Sequence, residues 1–234
     1  MDRVDLQNRT DTKFVFEAEL LPKILTDIHS HYFILEINKK RTNDYQTLYY
    51  DTPDLKSYLD HHNGKGNRVK VRFRKYIDSN LNFLEVKYKS NKGRTIKSRQ
   101  KVNAIETELS SNSKQFITDS SVYANSNLTP VLWNSFTRLT LVHKTKKERL
   151  TIDINLKFTA FSSKKSKAIN HIVIAEVKQE KASGDSDFIQ TIKKYHIRKS
   201  GMSKYCVGTA LLNENIKKNN LKERILKINK LNYA

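Results

Sequence analysis

Arg68–Tyr76 reads R-V-K-V-R-F-R-K-Y, and this stretch decides the fold class. Its alternation puts Arg68, Lys70, Arg72 and Arg74 on one side of a strand and Val69, Val71 and Phe73 on the other. Phe83–Lys89 follows the same rule, with Glu85, Lys87 and Lys89 opposite Leu84, Val86 and Tyr88. Arg149–Asn155 sets Arg149, Thr151 and Asp153 against Leu150, Ile152 and Ile154. His171–Lys178 sets Glu176 and Lys178 against Val173, Ala175 and Val177. Gln46–Asp51 and Phe136–His143 are shorter strand candidates. Strands with one polar and one apolar face belong to antiparallel sheet.

Helical spacing lies outside these strands. Leu21–His31 carries Leu21, Ile24, Leu25 and Ile28 on one stripe, and Asp185–Tyr195 carries Phe188, Ile189 and Ile192 behind an Asp cap. Asp54–Asp60, Ser113–Tyr123 and Ser203–Lys218 are further helix candidates. The expected class is α+β, with helices covering the apolar face of the sheet. With only 6 Gly and 3 Pro, and no linker-like run, residues 1–220 are expected to form one domain. Residues 221–234 read as a basic C-terminal helix or tail.

The net charge of +20 calls for an anionic partner, because self-repulsion of that size opposes a compact state. No apolar run approaches the roughly 20 residues of a membrane span. The acidic, polar start, Met1–Lys13, lacks the pattern of a signal peptide. A lone Cys206 excludes an internal disulfide and a thiolate metal cage. A cytoplasmic location is the expectation.

Four basic residues on one strand face have two readings. They form a solvated outer face, or they line the lumen of a closed sheet. Glu85, Asp153 and Glu176 stand among the bases on the polar faces, where a solvated face would carry more Ser, Thr and Gln. Guanidinium forks, ammonium groups and a few carboxylates together suit phosphate and a divalent metal.

Further segments carry a resemblance. These are R-T-D-T-K-F at Arg9–Phe14, L-Y-Y-D-T at Leu48–Thr52, G-K-G-N-R-V-K-V-R-F-R-K-Y at Gly64–Tyr76 and L-E-V-K-Y-K at Leu84–Lys89. G-R-T-I-K-S-R at Gly93–Arg99, F-T-R-L at Phe136–Leu139, R-L-T-I-D at Arg149–Asp153, A-E-V-K at Ala175–Lys178 and S-K-Y-C-V-G at Ser203–Gly208 complete the set. In this order they resemble the catalytic domain of the vacuolar transporter chaperone (VTC) complex. That domain is the polyphosphate polymerase branch of the CYTH-like triphosphate tunnel metalloenzymes.

The resemblance implies an eight-stranded antiparallel β-barrel, a triphosphate tunnel with helices packed outside. It implies phosphate binding and catalysis by Lys13, Arg72, Arg74, Lys87, Arg138, Arg149 and Lys204. Lys70, Lys97, Lys178 and Ser203 join them as substrate-binding positions. Glu176 matches the carboxylate that holds Mn²⁺ or Mg²⁺, with Glu85 and Asp153 as further metal candidates; ion pairing is the alternative for both. Asp153 is expected to hold Arg149 or Lys87. The family pattern has Tyr-x-Arg where this chain has Phe136 before Arg138, so one hydroxyl donor is lost. The start Arg-x-Asp-x-Lys, in place of Glu-x-Glu-x-Lys, favours the polymerase branch over adenylate cyclase and thiamine-triphosphatase relatives.

The implied activity is metal-dependent phosphoryl transfer on ATP or another triphosphate, giving polyphosphate. Hydrolysis of tripolyphosphate or a nucleoside triphosphate uses the same residues. A rival of another class is a module that binds polyphosphate or nucleic acid without turnover; basic strands and 11 Tyr would suit it. The carboxylates on the same faces argue against nucleic acid. A membrane-protein partner would couple synthesis to transport, and the oligomeric state stays open. His29–His31 and His61–His62 read as surface or capping residues, and Cys206 lacks the His partner of a nucleophile.

Overall fold

The structure, a computed structural model, describes residues 10–121, 127–180 and 184–231. Residues 1–9, Tyr123 and the last three positions of the C-terminal segment lie outside the described residues. Arg9 of the first resemblance segment is among them.

The expected antiparallel strands form, and four more join them. One sheet runs in the order β1 (Thr10–Glu17), β10 (Ile172–Gln179), β8 (Glu148–Ala160), β7 (Thr129–His143), β3 (Thr42–Asp51), β4 (Arg68–Tyr76), β5 (Leu81–Lys89) and β6 (Thr95–Val102). Short β2 (Tyr32–Ile34) pairs with β7, and β9 (Ser166–Ile169) pairs with β8. Residues facing each other across an antiparallel pair share a face. The register therefore builds rows: Tyr49–Arg72–Glu85–Arg99, Thr47–Arg74–Phe83–Lys101, and Lys70–Lys87–Lys97. On the other half, Lys13 lies opposite Glu176, Lys178 opposite Arg149, and Arg138 opposite Asp153.

The sheet curls, with the polar rows on its concave side. In a flat sheet β5 would lie six strand spacings from β1, about 29 Å. Yet Lys13 and Glu176 act electrostatically on Lys87 of β5, which screening would prevent much beyond ~10 Å. The closed barrel of the sequence expectation is nevertheless corrected to an open one among the described residues: β1 and β6 do not pair. The reason lies at the edges. The segment at Lys199–Ser200 takes the free edge of β1, with Phe14 bridged to Lys199 and the Ser200 N–H donating to the Lys13 carbonyl at 2.8 Å. β6 is exposed along most of its length.

Three apolar clusters hold this curl. On the convex side, α1 (Leu21–Ile28) and α4 (Asp187–Lys194) bury Ile24, Ile28, Phe188 and Ile192 against Phe14, Phe16, Ile152, Val173 and Val177. Farther along, α3 (Ser111–Ser120) sets Ile117 on Leu48, Val69, Val71, Phe73, Leu84 and Val86. Each such side chain contributes about 1.5–3 kcal/mol when fully buried. The cap of α4 is Ser186, not the expected Asp; its hydroxyl accepts from the Ile189 N–H at 3.2 Å.

The third cluster plugs one end of the concave side. α2 (Lys56–His62), α5 (Lys204–Leu212) and α6 (Lys222–Lys230) bring Tyr58, Tyr205, Cys206, Val207, Ala210 and Ile228 onto Val15, Tyr45, Tyr49, Leu132, Phe136 and Ile174. α5 sits so close that a Cβ on Gly208 would lie 2.5 Å from Phe158. Buried Asp51 anchors this plug. Its carboxylate accepts from the N–H groups of Thr52 (2.8 Å), Ser57 (2.8 Å) and Tyr58 (3.0 Å) and from the Tyr205 hydroxyl. One side chain thus fixes the start of α2 and the first turn of α5.

Candidate functional site

The concave side gathers cations from seven strands and one helix around three carboxylates. Each carboxylate carries two cations. Glu85 is bound by Arg72 through Nε and Nη2, both at 2.6 Å, and by Lys97 Nζ at 2.5 Å. Asp153 receives the fork of Arg138, Nε at 2.5 Å and Nη2 at 2.8 Å, together with Lys204 Nζ at 2.5 Å. Asp153 therefore holds Arg138 and Lys204, not the expected Arg149 or Lys87. Glu176 pairs with Lys13 through one oxygen and Lys178 through the other.

Electrostatics follow from this pairing. Burial pushes each carboxyl towards its neutral form, but the paired cations overcome it and hold all three ionised: Arg72 and Lys97 on Glu85, with the field of the more distant Arg74; Lys204 and Arg138 on Asp153; Lys178 and Lys13 on Glu176. Burial also lowers Lys178 to about 8, although Glu176 favours its charge. Burial opposes ionisation of the Tyr49 phenol, yet Arg72, Arg74 and Lys204 pull it below its usual range.

Two cations stand apart. Arg74 is 7% exposed, and its Nε meets only the Thr47 hydroxyl, at 3.3 Å. No carboxylate lies within ion-pair distance of it among the described residues. Burial and repulsion from Arg72 and Arg138 disfavour its charge. Lys87 is water-accessible inside the curl but walled by protein; this desolvation and the neighbouring Lys13 and Arg72 lower it to about 8.

The remaining expected positions are also on this side. Lys70 Nζ donates to the Ser203 hydroxyl at 2.7 Å and lies 3.4 Å from His61 Nδ1 and 3.7 Å from Cys206 Sγ. Ser203 caps α5, accepting from the Cys206 N–H at 3.3 Å, which leaves its own hydroxyl proton to donate. Cys206 is buried. Arg149 is half-buried on the same face as Thr151 and Asp153.

Sequence reasoning missed the aromatic floor. Tyr45 and Phe136 stack beneath the cations, with the Arg74 and Arg138 guanidinium carbons over both rings at 5.2–5.8 Å and Lys204 Nζ at 4.6 Å from Phe136. The Tyr-x-Arg mismatch drew attention to a lost hydroxyl, whereas the ring is what touches the cations.

A second polar cluster lies on the convex side. His31, His143 and Asp187 place ligand-type atoms within 4.8 Å of one another. Hydrogen bonding gives them a different task. The backbone N–H groups of Thr145 (3.1 Å) and Lys146 (2.9 Å) donate to His143 Nδ1, so the ring proton sits on Nε2 and points at Asp187 Oδ2, 2.7 Å away. Lys146 Nζ holds the same oxygen at 2.6 Å. The group staples β7 to α4. His62, expected as a surface or capping residue, is buried and accepts from the Asn220 N–H at 3.1 Å.

A curled antiparallel sheet with helices packed on it and with paired Arg, Lys and carboxylate groups on its concave side is the class that this fold and site define. The VTC domain matches residues 8–213, and the chain belongs to the VTC domain family. Among solved structures, a candidate adenylyl cyclase from Hippeastrum, described as having a dominant triphosphatase activity, shares the fold at a TM-score of 0.50 and 12% identity, over 87% of this chain and 96% of that one. Candidate adenylate cyclases from Vibrio parahaemolyticus (TM-score 0.48, 10% identity, 85% and 97% covered) and Bacillus halodurans (0.47, 12%, 84% and 95%) are also similar. No curated protein matches significantly. No described helix is long and apolar enough to cross a membrane.

Proposed function

We propose that the concave side binds a triphosphate or polyphosphate chain and performs metal-dependent phosphoryl transfer on it, with polyphosphate growth from a nucleoside triphosphate as the favoured outcome. The observation that carries this reading is Arg74. A buried guanidinium without a carboxylate partner is costly unless an anion completes it, and Arg72, Arg138, Lys87 and Lys204 surround the same space. Membership of the VTC family supports the same substrate class.

In this reading Arg74, Arg138, Arg149 and Lys87 hold the phosphate oxygens, and Lys13, Lys178, Lys70 and Lys204 add charge along the chain. Ser203 donates its hydroxyl proton. Arg72 and Lys97 stay on Glu85, which serves to position them. Asp153 does the same for Arg138 and Lys204. Glu176 is the carboxylate suited to Mn²⁺ or Mg²⁺: it is the most accessible of the three, and its hard oxygens match ions that bind through one or two carboxylates plus substrate phosphates. A bound divalent ion supplies charge neutralisation and polarises the phosphoryl group. Phosphoryl transfer asks the protein mainly for positioning and charge, which these residues provide.

The attacking group decides the product. A phosphate chain end gives polymer growth, and water gives hydrolysis with the same residues. Incubation with ATP and Mn²⁺ followed by product analysis tests the reading. Long-chain polyphosphate is the expected product, orthophosphate would identify a triphosphatase, and absence of both would leave only a binding module.

A further inference from the structure

The three carboxylates differ in one respect that bears on the order of binding. The Glu85 and Asp153 side chains are 1% and 3% exposed, whereas Glu176 is 16% exposed. Both oxygens of Glu176 are nevertheless taken: Lys13 reaches one from β1 and Lys178 the other from two residues along β10. Lys178 is itself buried, and it also donates to Thr151 Oγ1 at 3.5 Å.

A divalent cation approaching Glu176 in the empty protein meets two ammonium groups in front of one carboxylate. Asp11 acts on Lys178 and offsets one charge, but Lys87 beside Lys13 restores it, so the surroundings of Glu176 stay net positive and the approach is repelled; displacing buried Lys178 would also leave a poorly solvated ammonium. A phosphate chain changes both conditions. It offers the lysines oxygen partners on the concave side, and it brings more negative charge than the site itself contains. We propose that Lys13 and Lys178 form a latch that keeps a divalent metal off Glu176 until phosphate draws them away, so that the metal binds only when the polyanion is present. This inference rests on the phosphoryl-transfer reading of the same site. Linkage makes the effect mutual: the metal strengthens phosphate binding by the factor by which phosphate strengthens metal binding.

The latch is tested by Mn²⁺ titration of the full chain in phosphate-free buffer, reading free Mn²⁺ by electron paramagnetic resonance, with folding checked by circular dichroism. Wild-type protein should leave millimolar Mn²⁺ free, and saturating orthophosphate, itself a weak Mn²⁺ ligand, should then produce one bound ion. Lys178→Met should bind Mn²⁺ without phosphate about tenfold or more tightly than wild type, within the usual range of coupling between sites. Lys13→Met should act in the same direction, and adding Glu176→Gln should cancel either gain. Tight Mn²⁺ binding by wild-type protein alone, lost in Glu176→Gln, would overturn the proposal. Unchanged Mn²⁺ affinity in both folded lysine variants would do the same. These readings involve no turnover, so an inert protein with ATP would defeat the phosphoryl-transfer reading and leave the latch standing.

Discussion

Tyr45 and Phe136 face each other across β3 and β7 with their rings stacked, centroids 5.0 Å apart and planes inclined by 5°. Arg74 and Arg138 lie over this pair, and Lys204 lies over Phe136. The rings attract the cations without neutralising them, since a π-face offers a quadrupole and no hydrogen-bond acceptor to compete with phosphate. Like charges are thereby gathered in one place: Arg138 and Lys204 share Asp153, while Arg74 meets no carboxylate at ion-pair distance among the described residues.

Replacing the ring should loosen that arrangement. Phe136→Leu is expected to weaken tripolyphosphate binding by about 1 kcal/mol, within the range of a partly desolvated cation–π contact. Phe136→Tyr should bind at least as well as wild type, because the ring is kept. Titration calorimetry decides between this and a purely structural role, which would lower the melting temperature and leave affinity unchanged.

Arg74 should show opposite effects on stability and on binding. Arg74→Ala removes a buried charge repelled by Arg72 and Arg138, so the ligand-free melting temperature should hold or rise. Tripolyphosphate affinity should fall by about 1.5–3 kcal/mol, the range for hydrogen bonds to charged groups. A lower melting temperature with unchanged affinity would mean that Arg74 serves packing alone.

Lys87 gives the site a pH dependence. The surrounding protein and repulsion from Lys13 and Arg72 lower it from 10.5 to about 8 although the side chain meets water, so between those values the unfolded chain holds a proton that the folded, empty protein lacks. Stability of the empty protein should therefore rise with pH across that window from this group. Phosphate binding behaves in the opposite way: the anion needs the charged lysine, so affinity should decline above pH ~8 and binding should take up protons there. Calorimetry in two buffers of different ionisation enthalpy measures the uptake, and Lys87→Met should reduce it. Equal uptake in the variant would assign it to another group.

Much of this was legible in the sequence. Strict alternation in Arg68–Tyr76 has the same bounds as β4, because a strand with one apolar face has no freedom to slip by one residue. The long strands β7 and β8 were seen only in part. A register shift between Ser135 and Thr137 and left-handed backbone at Asn155 (φ 54°) interrupt their alternation. β6 was hidden for another reason: its exposed edge carries mixed residues with little apolar signal. Pairings such as Lys13–Glu176 and Lys204–Asp153 join segments far apart in the chain, and no local spacing encodes them. Nor does spacing bring His31 to His143 and Asp187, where the contact depends on how α1 and α4 pack.

The central claim is that the concave side is a metal-dependent phosphoryl-transfer site, and Glu176→Gln tests it most directly. Phosphorus NMR of ATP with Mn²⁺ follows the γ-phosphate in wild-type and variant protein side by side. The account predicts γ-phosphate loss with wild type and near-complete loss of turnover in the variant, which should still fold and still bind tripolyphosphate because Arg74, Arg138 and Arg149 remain. Turnover by Glu176→Gln at the wild-type rate would contradict it.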